Sequence, residues 1–248
     1  KQGMQSLVLD LRFNPGGLLT GAVDMAKLFM GDKQMIVYTQ GRKKEFYQEF
    51  KTNAKAPYAD IPMVVLVNQG SASASEIVSG ALQDNKRAVI AGQRSFGKAS
   101  VQQVLPLSGG AGLRLTIAKY YTPAGRLIQR NYRDKSKADE GGIFPDIEVE
   151  VDPEQEIKVF MQYNKVVYTP GQKAQLPEMT EKDPVLDKAV LYLTGKLTLE
   201  QAQKEAAEAK AAKEAAKTKK AASKKETQGK KSAPKAAPQK QAPAQDKK

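Results

Sequence analysis

The chain reads as an α/β protein, and three observations carry that reading. A short apolar strand, a glycine-bearing turn and a helix-spaced segment follow one another twice. A third apolar strand follows the second helix. A tail of lysine, alanine, proline and glutamine then breaks completely with the pattern.

The first unit opens with Ser6-Leu-Val-Leu-Asp-Leu11, a strand-type run. Arg12-Phe-Asn-Pro-Gly-Gly17 turns the chain, and Leu18 to Met30 places apolar residues at helical spacing. Met35 to Gln40 and Arg42 to Phe50 alternate as a hairpin does, with Gly41 at the turn. The second unit has Met63-Val-Val-Leu-Val67 as a fully apolar strand, Asn68 to Ser71 as a turn and Ala72 to Leu82 as a helix with Glu76 early in it. Arg87 to Ala91 is the third strand, and the loop Gly92 to Gly97 follows. Val101 to Leu107 and Gly112 to Tyr120 are two more strands around a glycine-rich turn, and Tyr121 to Gly142 is polar loop. From Pro153 the chain reads as a connector, ending in an amphipathic helix over Pro184 to Leu193. The body is expected to end near Gly195.

The 248 residues carry a formal net charge of +13 and are 40% hydrophobic, enough for a sizeable core in one large or two small domains. The charge is unevenly placed. Residues 199–248 hold 14 lysines against 6 acids, so they supply +8 and the body only +5. Residues 199–217 are helix formers without an apolar stripe, and residues 218–248 are expected to be disordered because they have nothing to bury. Such a tail suits anionic surface polymers, lipid or nucleic acid alike, or serves simply as a solubilising extension. Tyr120, Tyr121 and Tyr132 with Arg126, Arg130 and Arg133 are the nearest approach to a stacking and phosphate-binding surface. They read better as core and rim residues, so no specific nucleic acid is expected. Lys1-Gln-Gly-Met leads almost at once into a strand, as in a chain cut from a longer one.

Histidine and cysteine are both absent. Thiol chemistry, disulfides and zinc–thiolate sites are thereby excluded, and a hydrolase built on this chain needs a base other than imidazole. A lysine amine can fill that role for a serine nucleophile. Serines crowd positions 71, 73, 75 and 79, and composition alone does not choose among them. Ser73 stands just after a tight turn at a helix start, where the Ala74 amide and the positive helix end face the same space. A second amide from Gly16 or Gly17 could complete an oxyanion hole. A small-residue helix start packed on a sheet is the structural alternative. Lys98, in a glycine loop, is either a solvated surface charge or a base whose neighbours Phe96, Ala99 and Val101 strip it of water. Gln102, four residues on, can orient an amine without favouring its charged form. No cofactor or metal is called for.

Four segments, Asp10-Leu-Arg-Phe-Asn-Pro-Gly-Gly17, Gly70-Ser-Ala-Ser-Ala-Ser-Glu-Ile77, Ser95-Phe-Gly-Lys-Ala-Ser-Val-Gln102 and Gly141-Gly-Ile-Phe-Pro-Asp146, resemble the successive motifs of the carboxyl-terminal processing proteases, or tail-specific proteases. The resemblance spans about Gln2 to Leu193. It implies a ClpP/crotonase-like peptidase core of repeated strand-strand-helix units over residues 1–152, incomplete at its amino-terminal side. Residues 153–198 then form a connector and short helix. It further implies Ser73 as nucleophile, Lys98 as general base and Gln102 as its partner. The oxyanion hole falls to Ala74 with Gly16 or Gly17, and Glu76 is in support. The substrate is an extended polypeptide cleaved near its carboxyl end in the bacterial periplasm or cell envelope. An upstream PDZ domain in a longer chain and a homo-oligomeric assembly are also in keeping with the family. A non-catalytic fragment or peptide-binding scaffold of the same fold is the alternative.

Overall fold

The computed structural model describes residues 3–54, 56–134, 136, 140–165 and 180–229. Two four-stranded sheets organise it. The first is all parallel, in the order β1 (Leu7–Asp10), β4 (Met63–Val67), β5 (Val89–Gly92) and β8 (Ile147–Glu148). The second is antiparallel, in the order β3 (Gln48–Lys51), β2 (Met35–Gly41), β7 (Gly112–Tyr121) and β6 (Ser100–Pro106).

Helices α1 (Leu19–Lys27) and α2 (Ala74–Asp84) fill the space between the sheets. Ala22, Val23 and Ala26 of α1 and Ile77, Val78, Ala81 and Leu82 of α2 share one buried cluster with Val65 and Val67 of the parallel sheet and Ile36, Val37 and Tyr120 of the antiparallel one. Parallel strands must be covered on both faces, which is why β4 is buried at all five positions. Its other face, Val64 and Leu66, packs with Ala91, Ile147 and Val149 against Val185 and Ala189 of α4 (Pro184–Leu193) and against Leu197 and Ala202 beyond it. The order of layers is thus α4, parallel sheet, α1 with α2, antiparallel sheet.

The apolar runs and periodicities anticipate these elements closely, with three differences. The hairpin of β2 and β3 forms, but Gly41 is not its turn. Gly41 pairs with Ala118 inside the sheet, where a Cβ would lie 2.4 Å from the Ile117 carbonyl oxygen, and a short 3₁₀ turn at Lys44–Phe46 makes the reversal instead. The two residues of β8 close the parallel sheet because the Asp146 carboxylate accepts from the Ile90 amide at 2.8 Å and from Gln83 at 3.0 Å. The expected connector begins with a helix, α3 (Pro153–Tyr163), announced by Asp152 accepting from the amides of Glu154 and Gln155 and by proline at its first position.

Residues 1–206 form one compact unit and residues 207–248 a second. Helix α5 (Leu199–Gly229) begins in the first and continues past Lys217. Residues 218–229, expected to be disordered, continue helix α5, while residues 230–248 and most of the segment from Tyr163 to Met179 lie outside the described residues. No helix among the described residues is long and apolar enough to cross a membrane.

Asp152 tests the reading of α3. Asp152→Ala should lower stability by about 1 kcal/mol and Asp152→Asn by clearly less, measured by urea unfolding followed by circular dichroism.

Candidate active site

The loops after β1, β4 and β5 leave the same carboxyl edge of three adjacent parallel strands. That is where a parallel α/β sheet places its binding crevice. They carry Arg12 to Gly17, Asn68 to Ser73 and Gln93 to Lys98, which explains why three of the four sequence motifs converge. The fourth joins them through Ser95, whose amide donates to the Ile143 carbonyl at 3.1 Å and whose hydroxyl accepts from the Ile143 amide at 2.7 Å.

The structure separates the four serines. Ser71 donates to the Leu11 carbonyl at 2.7 Å, Ser75 to the Asn14 carbonyl at 3.0 Å and Ser79 to the Ser75 carbonyl at 2.8 Å, and all three are buried. Ser73 is half-buried, and its hydroxyl donates to no acceptor among the described residues. Its backbone, with φ 55° and ψ −113°, lies outside the comfortable regions for a side-chain-bearing residue. Strain of this kind costs about 1–3 kcal/mol and is the mark of a serine held exposed at a strand-to-helix turn.

Gly16 is pressed into the same turn. A Cβ there would lie 2.5 Å from the Ala72 carbonyl oxygen, 2.7 Å from the Ala74 nitrogen and 2.9 Å from Ser73 Cβ, so only glycine fits. Its φ of 95° makes the same demand. The Gly16 amide is already engaged, donating to Asn14 Oδ1 at 2.9 Å. The amides of Gly17 and Ala74 have no acceptor among the described residues, and a Cβ at Gly17 would meet open space. The two glycines therefore divide the work, Gly16 giving close approach and Gly17 leaving a free N–H. The Asn14 contact is the Asx turn that an asparagine two residues before a glycine signals, and sequence reasoning passed over it.

Glu76 is the least expected part of the site. Fully buried, it accepts four hydrogen bonds: at Oε2 from the amides of Ser73 and Lys98, each 2.8 Å, and at Oε1 from Ser95 Oγ at 2.5 Å and the Gly97 amide at 2.6 Å. One carboxylate thereby joins the serine turn to the lysine loop. Burial pushes its pKa above the usual carboxylate range, opposed by the four hydrogen bonds.

Lys98 departs from the expectation of an apolar enclosure. It is exposed, as is Phe96, whereas Ala99 is buried in the core and Val101 packs against it. Lys98 and Gln102 are both exposed and no hydrogen bond joins them; the Gln102 amide instead reaches Thr116 Oγ1 at 3.4 Å. Tyr132 supports the lysine loop by donating to the Phe96 carbonyl, with its ring tilted on Phe96 and the Arg130 guanidinium 5.0 Å from its centroid. Tyr120 is core and Tyr121 stacks on Tyr38 at 5.1 Å, while Arg126 pairs with Asp84. The aromatic and basic residues of this region are thus dispersed rather than gathered on one surface. Among the described residues, no cluster of carboxylates offers a metal site.

A family model described as peptidase family S41 matches residues 1–149. The carboxy-terminal-processing protease of Bartonella bacilliformis is 48% identical over 59% of this chain and 31% of its own length. That of a Synechocystis strain is 50% identical over 50% of this chain and 28% of its own. The solved photosystem II D1 C-terminal processing protease is 39% identical, with a TM-score of 0.52 over 60% of this chain and 36% of that one. The chain spans about a third of the length of these relatives. With the family model covering more than half of its residues, the chain belongs to peptidase family S41.

Proposed function

We propose that this chain carries the catalytic core of a serine endopeptidase that cleaves polypeptides near their carboxyl ends, with Ser73 as nucleophile and Lys98 as general base. The observation that carries the reading is the Ser73 turn. It combines a hydroxyl that donates to no acceptor among the described residues, on a strained backbone, with two amides, of Ala74 and Gly17, that have no acceptor among them either. The names of the relatives supply the substrate class.

In this mechanism the Lys98 amine takes the Ser73 proton as Oγ attacks the scissile carbonyl. The resulting oxyanion accepts from the Ala74 and Gly17 amides, aided by the positive end of α2. Collapse breaks the C–N bond, the lysine ammonium protonates the departing amine, and the acyl group stays on Ser73. Lys98 then takes a proton from water, which attacks the ester, and on collapse returns it to Oγ. The exposure of Lys98 assigns part of its activation to the substrate, since a polypeptide lying over the lysine loop removes water from the amine.

β6 begins two residues after Lys98 and forms an edge of its sheet, so its outer backbone groups are open to an extended substrate. The work suits an extracytoplasmic setting, the bacterial periplasm or cell envelope, in keeping with relatives that include chloroplastic processing peptidases.

Hydrolysis of an unfolded protein, with products mapped by mass spectrometry, tests the assignment. Ser73→Ala and Lys98→Ala should each lower kcat by about 10³-fold or more, whereas Ser75→Ala should retain turnover to the extent that it folds. Undiminished turnover in the first two variants would sink the dyad.

Glu76 gives a second test, with a definite sign. The folded state holds its proton more tightly than the unfolded chain, so this residue's contribution to stability declines as pH rises from the ordinary carboxylate value through its raised one. Reactivity should run the other way, because each oxygen already receives two donors and only the anion accommodates all four. Ser73 labelling by a fluorophosphonate should therefore rise across the window in which the unfolding midpoint loses this contribution. Glu76→Gln should abolish both trends and slow labelling at all pH values.

A further inference from the structure

The residues after the family match are more than a connector, because they grip the loop that carries the glycine pair. Arg12 lies at the base of that loop with its side chain only 6% exposed. Its Nη1 and Nη2 meet the two oxygens of Asp183 at 2.9 and 2.7 Å, a two-pronged match of guanidinium and carboxylate. Its Nε and Nη2 also reach Asp10, at 3.1 and 2.7 Å. Asp183 is equally enclosed, caps α4 through the Leu186 amide at 3.1 Å and accepts from Tyr163 Oη at 3.2 Å.

Two further contacts join the same partners. The rings of Phe13 and Phe160 of α3 lie 4.5 Å apart, and Asn68 donates to Glu156 of α3 at 3.0 Å. The Asn68 side-chain oxygen accepts from the amides of Phe13 and Gly70, each at 2.9 Å. Helices α3 and α4 thus hold both the loop after β1 and the loop after β4.

The grip reaches the reacting atoms in few steps. From Arg12 and Phe13 the chain passes to Asn14, whose carbonyl accepts from the Ala72 amide at 3.0 Å and from Ser75 Oγ at 3.0 Å, and whose side chain fixes Gly16 against Ser73. Phe13 itself has φ 57°, a left-handed conformation that a bulky residue keeps only when its surroundings enforce it.

We propose that Asp183 is a positioning residue for the oxyanion loop: its ion pair with Arg12 clamps residues 12–17 so that the Gly17 amide faces the Ser73 hydroxyl. The proposal rests on the peptidase reading for its consequence but not for its geometry. Asp183 touches no reacting atom and acts through Arg12. The carboxyl-terminal helices are on this account part of the catalytic unit.

The test uses the whole chain with Asp183→Ala, Asp183→Asn and Asp183→Glu. Asparagine retains the helix cap while removing the charge, so it separates loss of the clamp from loss of α4. Two readouts apply: the rate of Ser73 labelling by a fluorophosphonate, whose phosphoryl oxygen needs the same amides, and hydrogen–deuterium exchange of Asn14 to Leu18. Labelling of Asp183→Asn and Asp183→Ala should slow at least ten-fold, with faster exchange in the loop and unchanged exchange in β4. Asp183→Glu should recover part of the rate. Equal labelling and equal loop exchange in wild type and Asp183→Asn would overturn the proposal and leave the peptidase reading intact. Faster loop exchange in a protein whose wild type is never labelled would keep the clamp and overturn the peptidase reading.

Discussion

The site depends on one buried anion. Among the described residues Glu76 has no cation against it; its charge is met by three backbone amides and a hydroxyl, together with the positive end of the helix on which it sits. A neutral side chain of the same shape fails here for a plain reason. All four partners donate; an amide would turn its two hydrogens against two of them and a protonated acid its one hydrogen against one. The cost of burying the charge is visible in its raised pKa. What it secures is a fixed relation between two loops separated in the chain by α2 and β5, one bearing Ser73 and the other Lys98. Ser95 extends the link to the Gly141 to Asp146 segment, so the last motif is tied to the second through the third.

Much of this was legible in the sequence. The strand, turn and helix order placed three loops at one end of a parallel sheet, and the absence of histidine directed attention to lysine. The helices α1, α2 and α4 and the strand β4 follow from spacing and apolar runs that tertiary packing did not override. Harder to see was α3. Its buried side chains are few, Val159 and Gln162, and Ile157 and Met161 stay exposed, so the apolar stripe is thin although the Asp152-Pro153 start signal is clear. The two-residue β8 has no periodicity to read at all. Gly41 misled because a glycine between two alternating runs usually marks a turn, whereas here the neighbouring Ile117 carbonyl excludes a side chain from the middle of a strand.

The site shows the same division between local and distant causes. Ser73 could be favoured by its place before a helix, but its selection over Ser71, Ser75 and Ser79 rests on what those hydroxyls bond, and the partners of Ser71 and Ser75 include Leu11 and Asn14, some 60 residues away. What distinguishes Gly16 from Gly17 likewise lies across space, in the crowding of Gly16 by Ala72 and Ala74, and in the local turn at Asn14. Arg12 and Asp183 are 171 positions apart, and no pattern in one-dimensional sequence joins them. Of the two readings of Lys98, the exposed one holds because apolar neighbours in sequence are not neighbours in space: Ala99 and Val101 pack into the core while Lys98 stays in solvent.

The Arg12 to Asp183 pair also explains how a strained turn persists. Burial alone would raise the Asp183 pKa, but the hydrogen bonds and charge of Arg12 outweigh it and hold the carboxyl below its ordinary range, while burial and the Asp183 anion push the Tyr163 hydroxyl up to about 12. A carboxylate with a depressed pKa contributes stability that is present above the unfolded value and is lost as pH falls through the folded one. Its influence therefore survives throughout the neutral range, in which the proposed lysine base must work. Removing one partner of a buried pair of this kind costs about 3–5 kcal/mol, because the other charge is left buried and unpaired. The strained residues thus lie between two electrostatic anchors, Glu76 on the inner side and Asp183 on the outer. The Ser73 turn is held between them, by Glu76 at the Ser73 amide and by the Asn14 carbonyl at Ala72 and Ser75.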